Sequence, residues 1–497
     1  MEKKYILSID QGTSSSRAVL LDTNGNWIGA AEKEFPQIYP KTGWVEHDPE
    51  TIWASVEDSI KMVLEKNNVS PLNILTIGIT NQRETTIAWN SKNSKPIYNA
   101  IVWQCRRTTE FCEKLRLNKE IKSKVKKKTG LVIDPYFSAS KISWILKNVP
   151  EAQKLTKQKL LKVGTVDSFL LWRLTSGLVH KTEVSNASRT MLMNLKTLSW
   201  DADLLKIFKV PEHILPKIES SAHHFGSTHG LSCLPDGIPI TGMIGDQQGA
   251  LFGQACFMPG ELKCTYGTGS FILLNTGEKL VYSNHGMLTT VAWKIGGKTS
   301  YAIEGGAFIC GAAVQWLRDG LGFIPTSRQV ESLASEVESS EGVEFVPALT
   351  GLGAPYWVPE ARGIISGLTR GTNKSHIARA TLDAMALQNV DIITAMEKDL
   401  GRKLKGFNAD GGAASNNLLM QLQSNYFGQS VVRPKIIETT VYGAGLLAGL
   451  GVGLWKNTNE LKKLWKVDSI FNPMINSKMR KVRLESWHRA IEKCSKN

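Results

Sequence analysis

Apolar positions along the chain follow two rhythms. Short β-prone runs such as Tyr5 to Ile9 and Ala18 to Leu21 have the pattern of buried strands. Longer stretches with apolar residues at helical spacing predict amphipathic helices, the longest from His376 to Leu400. A basic stretch from Met479 to Lys493 puts Leu484, Trp487, Ala490 and Ile491 on one face and predicts a helix docked on the body. Periodicity also reads EGGAFICGAAVQWLRD, residues 304–319, as a plain helix. The basic runs Lys122 to Lys128 and Lys154 to Lys162 read as solvated helix faces.

Several strand patterns end in similar residues. Gln11 to Ser16 separates the first two runs: Gly12 frees the backbone, and the small hydroxyl residues leave amides accessible. Lys263 to Lys279 echoes it, with Gly-Thr, a small residue, Ser, and an apolar run closing on a glycine turn. Ile238 to Gly253 reads as a strand to Ile244, then Gly245 and Asp246, then a helix from about Gln248. Gly406 to Gln423 reads as a strand, Asp410, the Gly411–Gly412 pair and a helix starting near Ser415. Ligands of open α/β sheets bind at the carboxyl ends of strands, where these residues would lie.

A turn of hydroxyls and amides beside Arg17 suits a phosphate. Asp10 would repel that phosphate unless a cation lay between them, so it reads as the anchor of a hydrated Mg²⁺. An ordinary β-hairpin would read the same way. A P-loop is excluded, because the lysine is missing and a strand follows in place of a helix. If the phosphate belongs to ATP, an acceptor is needed. Ile74 to Asn90 places Asn-Gln-Arg-Glu between two apolar strands, so Arg83 offers donors and Glu84 an acceptor to a small hydroxyl-rich molecule. A surface ion pair is the alternative. Trp103, Tyr136 and Phe271 are candidates for apolar walls or for core.

Composition narrows the class. The 497 residues suffice for two or more domains, and 42% apolar with 21% charged residues is ordinary for a globular protein. A boundary is expected near Gly253 to Gly260, giving domains 1–253 and 254–497. There is no signal-peptide pattern and no run long enough to span a bilayer, so a cytoplasmic protein is expected. The seven cysteines form no C-x-x-C pair and read as free thiols. The net charge of +15 suggests nucleic acid, but its clusters lack interleaved aromatics, so no nucleic-acid partner is expected.

IDQGTSSSR, TNQRETT, YFSASKISWILKN, GDQQGAL, YGTGSF, GLGAPYW and DGGAASNN resemble, in order, the motifs of the FGGY carbohydrate kinases. The resemblance implies an α/β fold of two ribonuclease-H-like domains of the actin/hexokinase/Hsp70 type, with a cleft between them. It implies ATP-dependent phosphorylation of glycerol, or alternatively of another small polyol or sugar, with Mg²⁺. It assigns Thr13, Ser14, Ser15, Arg17, Gly267, Thr268, Gly311, Gln315, Gly412 and Asn416 to ATP or ADP. It assigns Arg83, Glu84, Trp103, Tyr136, Asp246, Gln247 and Phe271 to the acceptor, with Asp246 as the base. A homodimer or homotetramer is also implied. LSCLPDG, residues 231–237, carries none of the arginine that binds fructose 1,6-bisphosphate in some members, so that control is not expected here. Asn425 stands where an acid is expected.

Overall fold

A computed structural model describes residues 3–496. Its frame is two mixed sheets. The first is built from β1 (Tyr5–Gln11), β2 (Ser15–Asp22), β3 (Trp27–Glu34), β4 (Ile74–Asn81), β5 (Ala222–Ser227) and β6 (Pro239–Gly245). Their order across the sheet is β5-β6-β4-β1-β2-β3. The second is built from β7 (Leu262–Tyr266), β8 (Ser270–Gly277), β9 (Leu288–Ile295), β10 (Lys298–Ala307), β11 (Gly406–Asp410), β12 (Ser430–Pro434) and β13 (Val467–Phe471). Their order is β9-β10-β8-β7-β11-β12-β13.

The two sheets share one plan. In each, an antiparallel meander (β1–β2–β3, and β7–β8–β10) is extended by two parallel strands (β4 and β6, and β11 and β12). An antiparallel edge strand closes each, β5 on β6 and β13 on β12. The faint repeat in sequence is therefore a duplicated topology. The central strands are apolar on both faces because helices cover both sides of the sheet.

Register positions the chemistry. Gln11 pairs with Asn81, and Asn81 pairs with Gly245. The residues that follow these strands therefore emerge side by side at carboxyl ends. In the second sheet Thr265 pairs with Asp410, bringing the turn after β7 next to Gly411.

Eight helices carry the rest of the argument: α1 (Ser138–Asn148), α2 (Val184–Ala187), α3 (Asp246–Gly253), α4 (Gly311–Asp319), α5 (Lys374–Leu400), α6 (Asn417–Phe427), α7 (Thr439–Gly451) and α8 (Ser477–Lys496). Helix α3 leaves the first sheet and packs on β7 and β8, whereas α7 leaves the second and lies on β1, β4 and β6. The two helices meet through glycines: a Cβ on Gly443 would lie 2.0 Å from the Gly249 carbonyl oxygen, and one on Gly253 2.1 Å from that of Thr439.

Several expectations are corrected in detail. Glu304 to Ala307 belong to strand β10, and the helix starts only at Gly311, because pairing with β8 and β9 outweighs the helical spacing. The basic run from Lys154 is helical only to Lys157, and Leu161–Thr165 is a strand paired with Thr86–Asn90. Helix α3 begins at Asp246, with Gly245 as its N-cap. A short 3₁₀ turn, Gly412–Ser415, precedes α6. Helix α8 docks as expected, burying Trp487, Ala490, Ile491 and Cys494, with Leu484 packed beside them. All seven cysteines are free and buried. No helix among the described residues is long and apolar enough to cross a membrane.

Candidate active site

Arg83 and Glu84 follow β4 and are 3% and 1% exposed, which rules out a surface ion pair. The fork of Arg83 is occupied: Nη1 and Nη2 donate to the two carboxylate oxygens of Glu304 at 2.7 and 2.8 Å, and Nη1 also reaches Gln248 Oε1 at 3.2 Å. Its Nε lies 3.0 Å from Asp246 Oδ1. One N–H on Nη2 is left without a partner among the described residues. Glu84 takes a left-handed backbone conformation (φ 59°), uncommon for a residue with a side chain, at the bend out of β4. Its Oε1 accepts Arg189 Nε at 2.6 Å, while Oε2 makes no hydrogen bond among the described residues.

Asp246 opens α3. Its Oδ1 accepts the Gln247 N–H at 2.6 Å, Oδ2 has no partner among the described residues, and its side chain is 30% exposed. Burial raises its pKa, and Arg83 opposes that rise. Gln247 turns toward the second sheet, where its Oε1 accepts Lys263 Nζ at 2.5 Å. Lys263 is buried, also donates to Thr265 Oγ1 at 2.7 Å and the Phe271 carbonyl at 3.3 Å, and has a pKa lowered by burial. Asp410 is buried beyond it, with Oδ2 held by Gln254 and Thr439 at 2.7 Å and Oδ1 unpartnered.

Two of the three candidate aromatics are in contact. Trp103 and Tyr136 meet edge-to-face at 5.6 Å, and Trp103 Nε1 donates to Thr13 Oγ1 at 3.0 Å, tying this wall to the first hairpin. Tyr136 precedes α1, whose Ser138 hydroxyl donates to the Glu84 carbonyl at 3.0 Å. Lys141 of α1 is fully buried, donates to the Tyr136 carbonyl at 2.5 Å, and is pushed by burial down to about 8. Phe271 stands on β8 against Gly306, whose added Cβ would meet its ring at 3.0 Å.

The phosphate-type turns are also formed. In the first, the Gly12 N–H closes on the Ser15 carbonyl at 2.9 Å. Arg17 there is engaged by Glu438 at 2.5 Å and Glu32 at 2.7 Å, and Ser15 Oγ donates to Glu32. In the second, the Gly267 N–H closes on Gly269, while Cys310 and Ala312 amides donate to the Thr268 carbonyl. Gly311 must be glycine, since a Cβ would lie 2.6 Å from the Gly267 oxygen. Thr268, Gln315 and Gly412 are exposed, with open space around the Cα of Gly412; Asn416 caps α6 through the Leu419 N–H at 2.8 Å. The side chains of Ser14 and Gln315 make no hydrogen bond among the described residues.

Asp10 lies at the end of β1. Burial and the neighbouring Asp246 raise its pKa to about 7 against the pull of Arg17. Asp246 acts on Asp10 as a like charge, and Arg17, which opposes it, is itself engaged by Glu438 and Glu32, so a cation would be favoured beside Asp10. No cluster of three or more metal-ligating residues exists among the described residues.

Sequence reasoning missed Glu304, Arg189, Lys263 and Lys141. Lys263 and Glu304 are ionisable residues flanked by apolar positions within strands, a pattern that signals burial with a partner, whereas Lys141 stands among serines in its helix. Arg189 stands in an aperiodic stretch and left no such signal.

Residues 5–253 match the model of the FGGY family of carbohydrate kinases, N-terminal domain, and residues 262–452 the C-terminal domain of that family. The chain is 60% identical to a glycerol kinase of Bdellovibrio bacteriovorus over 98% of its own length and 99% of that protein. It is 51% identical to a glycerol kinase of Desulforamulus reducens, covering 99% and 98%. The fold superposes on the crystal structure of Plasmodium falciparum glycerol kinase with ADP (TM-score 0.92, 37% identity, 99% and 98% covered). A ligand-bound xylulose kinase from Lactobacillus acidophilus shares the fold at TM-score 0.86 and 24% identity, covering 99% and 97%. With both family domains matched in order and relatives aligned over nearly the whole length, the chain belongs to the FGGY family of carbohydrate kinases.

Proposed function

We infer that the chain transfers the terminal phosphoryl group of ATP to a hydroxyl of glycerol, forming sn-glycerol 3-phosphate and ADP. The observation that carries this reading is the set of free valences in one buried place: a single N–H on Arg83, Oε2 of Glu84 and Oδ2 of Asp246, beside the Trp103–Tyr136 wall. One donor and two acceptors against an aromatic edge suit a short polyol, whose hydroxyls bind while its carbons lie on the rings. The names of relatives 60% and 51% identical to this chain point to the same acceptor.

In this mechanism Arg83 and Glu84 orient the acceptor, and the unpartnered Oδ2 of Asp246 takes the hydroxyl proton as the O–P bond forms. The amides and hydroxyls of the two hairpins, with Thr13 and Thr268 at their tips, hold the phosphates, and Gly311, Gln315, Gly412 and Asn416 border the nucleoside. Mg²⁺ beside Asp10 would neutralise charge on the phosphates. The same reading takes residues 1–253 and 254–497 as the two domains. The test is ADP release with glycerol, dihydroxyacetone, xylulose, gluconate or no acceptor. Glycerol is expected to give the highest kcat/KM, and a preference for xylulose or gluconate would overturn the assignment.

A further inference from the structure

The charges under the acceptor pocket come from both halves of the chain. Glu304 stands on β10 of the second sheet and is 2% exposed, whereas Arg83 and Glu84 follow β4 of the first and Arg189 lies in the loop after α2. Glu304 takes two N–H groups of Arg83 and, through Oε1, Nη2 of Arg189 at 3.2 Å. Arg189 is fully buried and holds Glu84 through Nε at 2.6 Å. Its guanidinium also sits 5.6 Å from the Tyr136 ring centroid and 5.2 Å from that of Phe137. The surrounding stretch is anchored on both sides. Ser185 Oγ accepts the Gly245 N–H at 2.9 Å just before Asp246, and Ser188 Oγ bonds Thr290 Oγ1 of β9 at 2.8 Å.

We propose that Glu304 and Arg189 are positioning residues for acceptor binding, Glu304 by orienting Arg83 and Arg189 by orienting Glu84, so that the pocket is complete only when the two halves are set together. Two buried guanidiniums require buried counter-charges, and a bidentate carboxylate fixes the plane of the fork as well as neutralising it. That plane decides which N–H of Arg83 remains for a hydroxyl. Arg189 draws one oxygen of Glu84 away and leaves the other for the ligand. The same contacts join the acceptor pocket to the second sheet, so an occupied pocket should resist separation of the halves. Neither residue is assigned contact with substrate. The proposal rests on the acceptor pocket described above.

The test uses the full chain and the variants Glu304→Gln, Glu304→Asp and Arg189→Lys. Steady-state KM for acceptor and for ATP would be measured separately, together with the acceptor-induced rise in melting temperature. Glu304→Gln presents an amide N–H to a guanidinium in place of an oxygen, so the acceptor KM is expected to rise at least about tenfold. The KM for ATP should change less than about twofold, and most of the acceptor-induced thermal shift should be lost. Glu304→Asp keeps both oxygens and should recover part of the affinity, while Arg189→Lys, lacking the fork, should raise the acceptor KM alone. If Glu304→Gln does not fold, Glu304→Asp and Arg189→Lys decide the matter by the same split. Acceptor KM values unchanged in the folded variants, or equal rises for acceptor and ATP, overturn the proposal. Each variant is assayed with the acceptor that the wild-type chain phosphorylates best. A preference for something other than glycerol therefore overturns the substrate assignment and leaves the test of Glu304 and Arg189 readable.

Discussion

At Asp246 one carboxylate oxygen is held by the following amide and by Arg83, and the other is unpartnered at the end of a buried strand. A base needs this asymmetry, with one oxygen to fix its orientation and one to receive the proton. Asp246→Asn preserves the first bond, because the amide oxygen still accepts the Gln247 N–H, and removes the second function. We expect a folded variant whose kcat falls by about 10²–10⁴-fold with a much smaller change in glycerol affinity. Thermal melting together with initial rates checks this, and a folded variant retaining more than about a tenth of wild-type kcat would remove Asp246 as the base. Asp246, Arg83 and Glu84 were legible in sequence as polar residues at the ends of apolar strands. Their partners were not, because Glu304 lies far along the chain and a carboxylate that pairs with a distant arginine carries no mark of that partner. The magnitude of the pairing appears only in three dimensions: burial alone would raise the pKa of Glu304, yet Arg189 and Arg83 hold it at about 2.

At the scale of elements, the C-terminal helix α8 illustrates how a periodic face becomes a specific dock. Its apolar stripe was readable, but its polar partners were not, among them Asp391 of α5 and, through Arg483, Glu344 and Asp383. The Asp391 carboxylate accepts Trp487 Nε1 at 2.6 Å, the Tyr356 hydroxyl at 2.8 Å and His488 Nε2 at 2.8 Å. The hydrogen bond to Asp391 raises the pKa of His488 in the folded protein, against partial desolvation. A histidine whose folded pKa is raised contributes stability that is fully present below its unfolded pKa and is lost as pH rises through the folded value. His488 is half-exposed, so the contribution is small. His488→Gln is therefore expected to lower the melting temperature at about pH 5.5 and to leave it nearly unchanged at about pH 9. An equal loss at both pH values would show that the imidazole docks the helix without its charge. Elsewhere, periodicity identified α5 to within two residues of its start but misread residues 304–307 as helix. Pairing on both sides within a sheet is decided by neighbours and not by local spacing.

Across the whole molecule, the two sheets are joined by an exchange of helices, α3 lying on the second sheet and α7 on the first. The crossing is tight enough that glycine is required at the contact. Gly443→Ala would place a methyl 2.0 Å from the Gly249 oxygen and 2.8 Å from the Gly253 nitrogen, all backbone atoms that cannot rotate away. The expected cost is about 1–3 kcal/mol or more. Because α3 begins at Asp246, displacement of that helix should also lower kcat. Calorimetry and rates on the same preparation check both effects, and a variant with wild-type melting temperature and kcat would show that the crossing tolerates expansion.

What the sequence determined by itself is local and repetitive. Apolar runs specify buried strands, glycine and hydroxyl turns specify where those strands stop, and two similar Gly-Thr hairpins indicate a duplicated unit. The order of motifs was enough to place the chain in its family. Only the tertiary structure decided that Arg83 pairs with Glu304, that Arg189 holds Glu84, and that Lys263 of the second sheet is buried against Gln247. The physical reason is range. Backbone conformation responds to near neighbours in sequence, whereas the free energy of a buried charge is set by whichever charges the fold brings within a few ångströms, here from residues 105 to 221 positions apart.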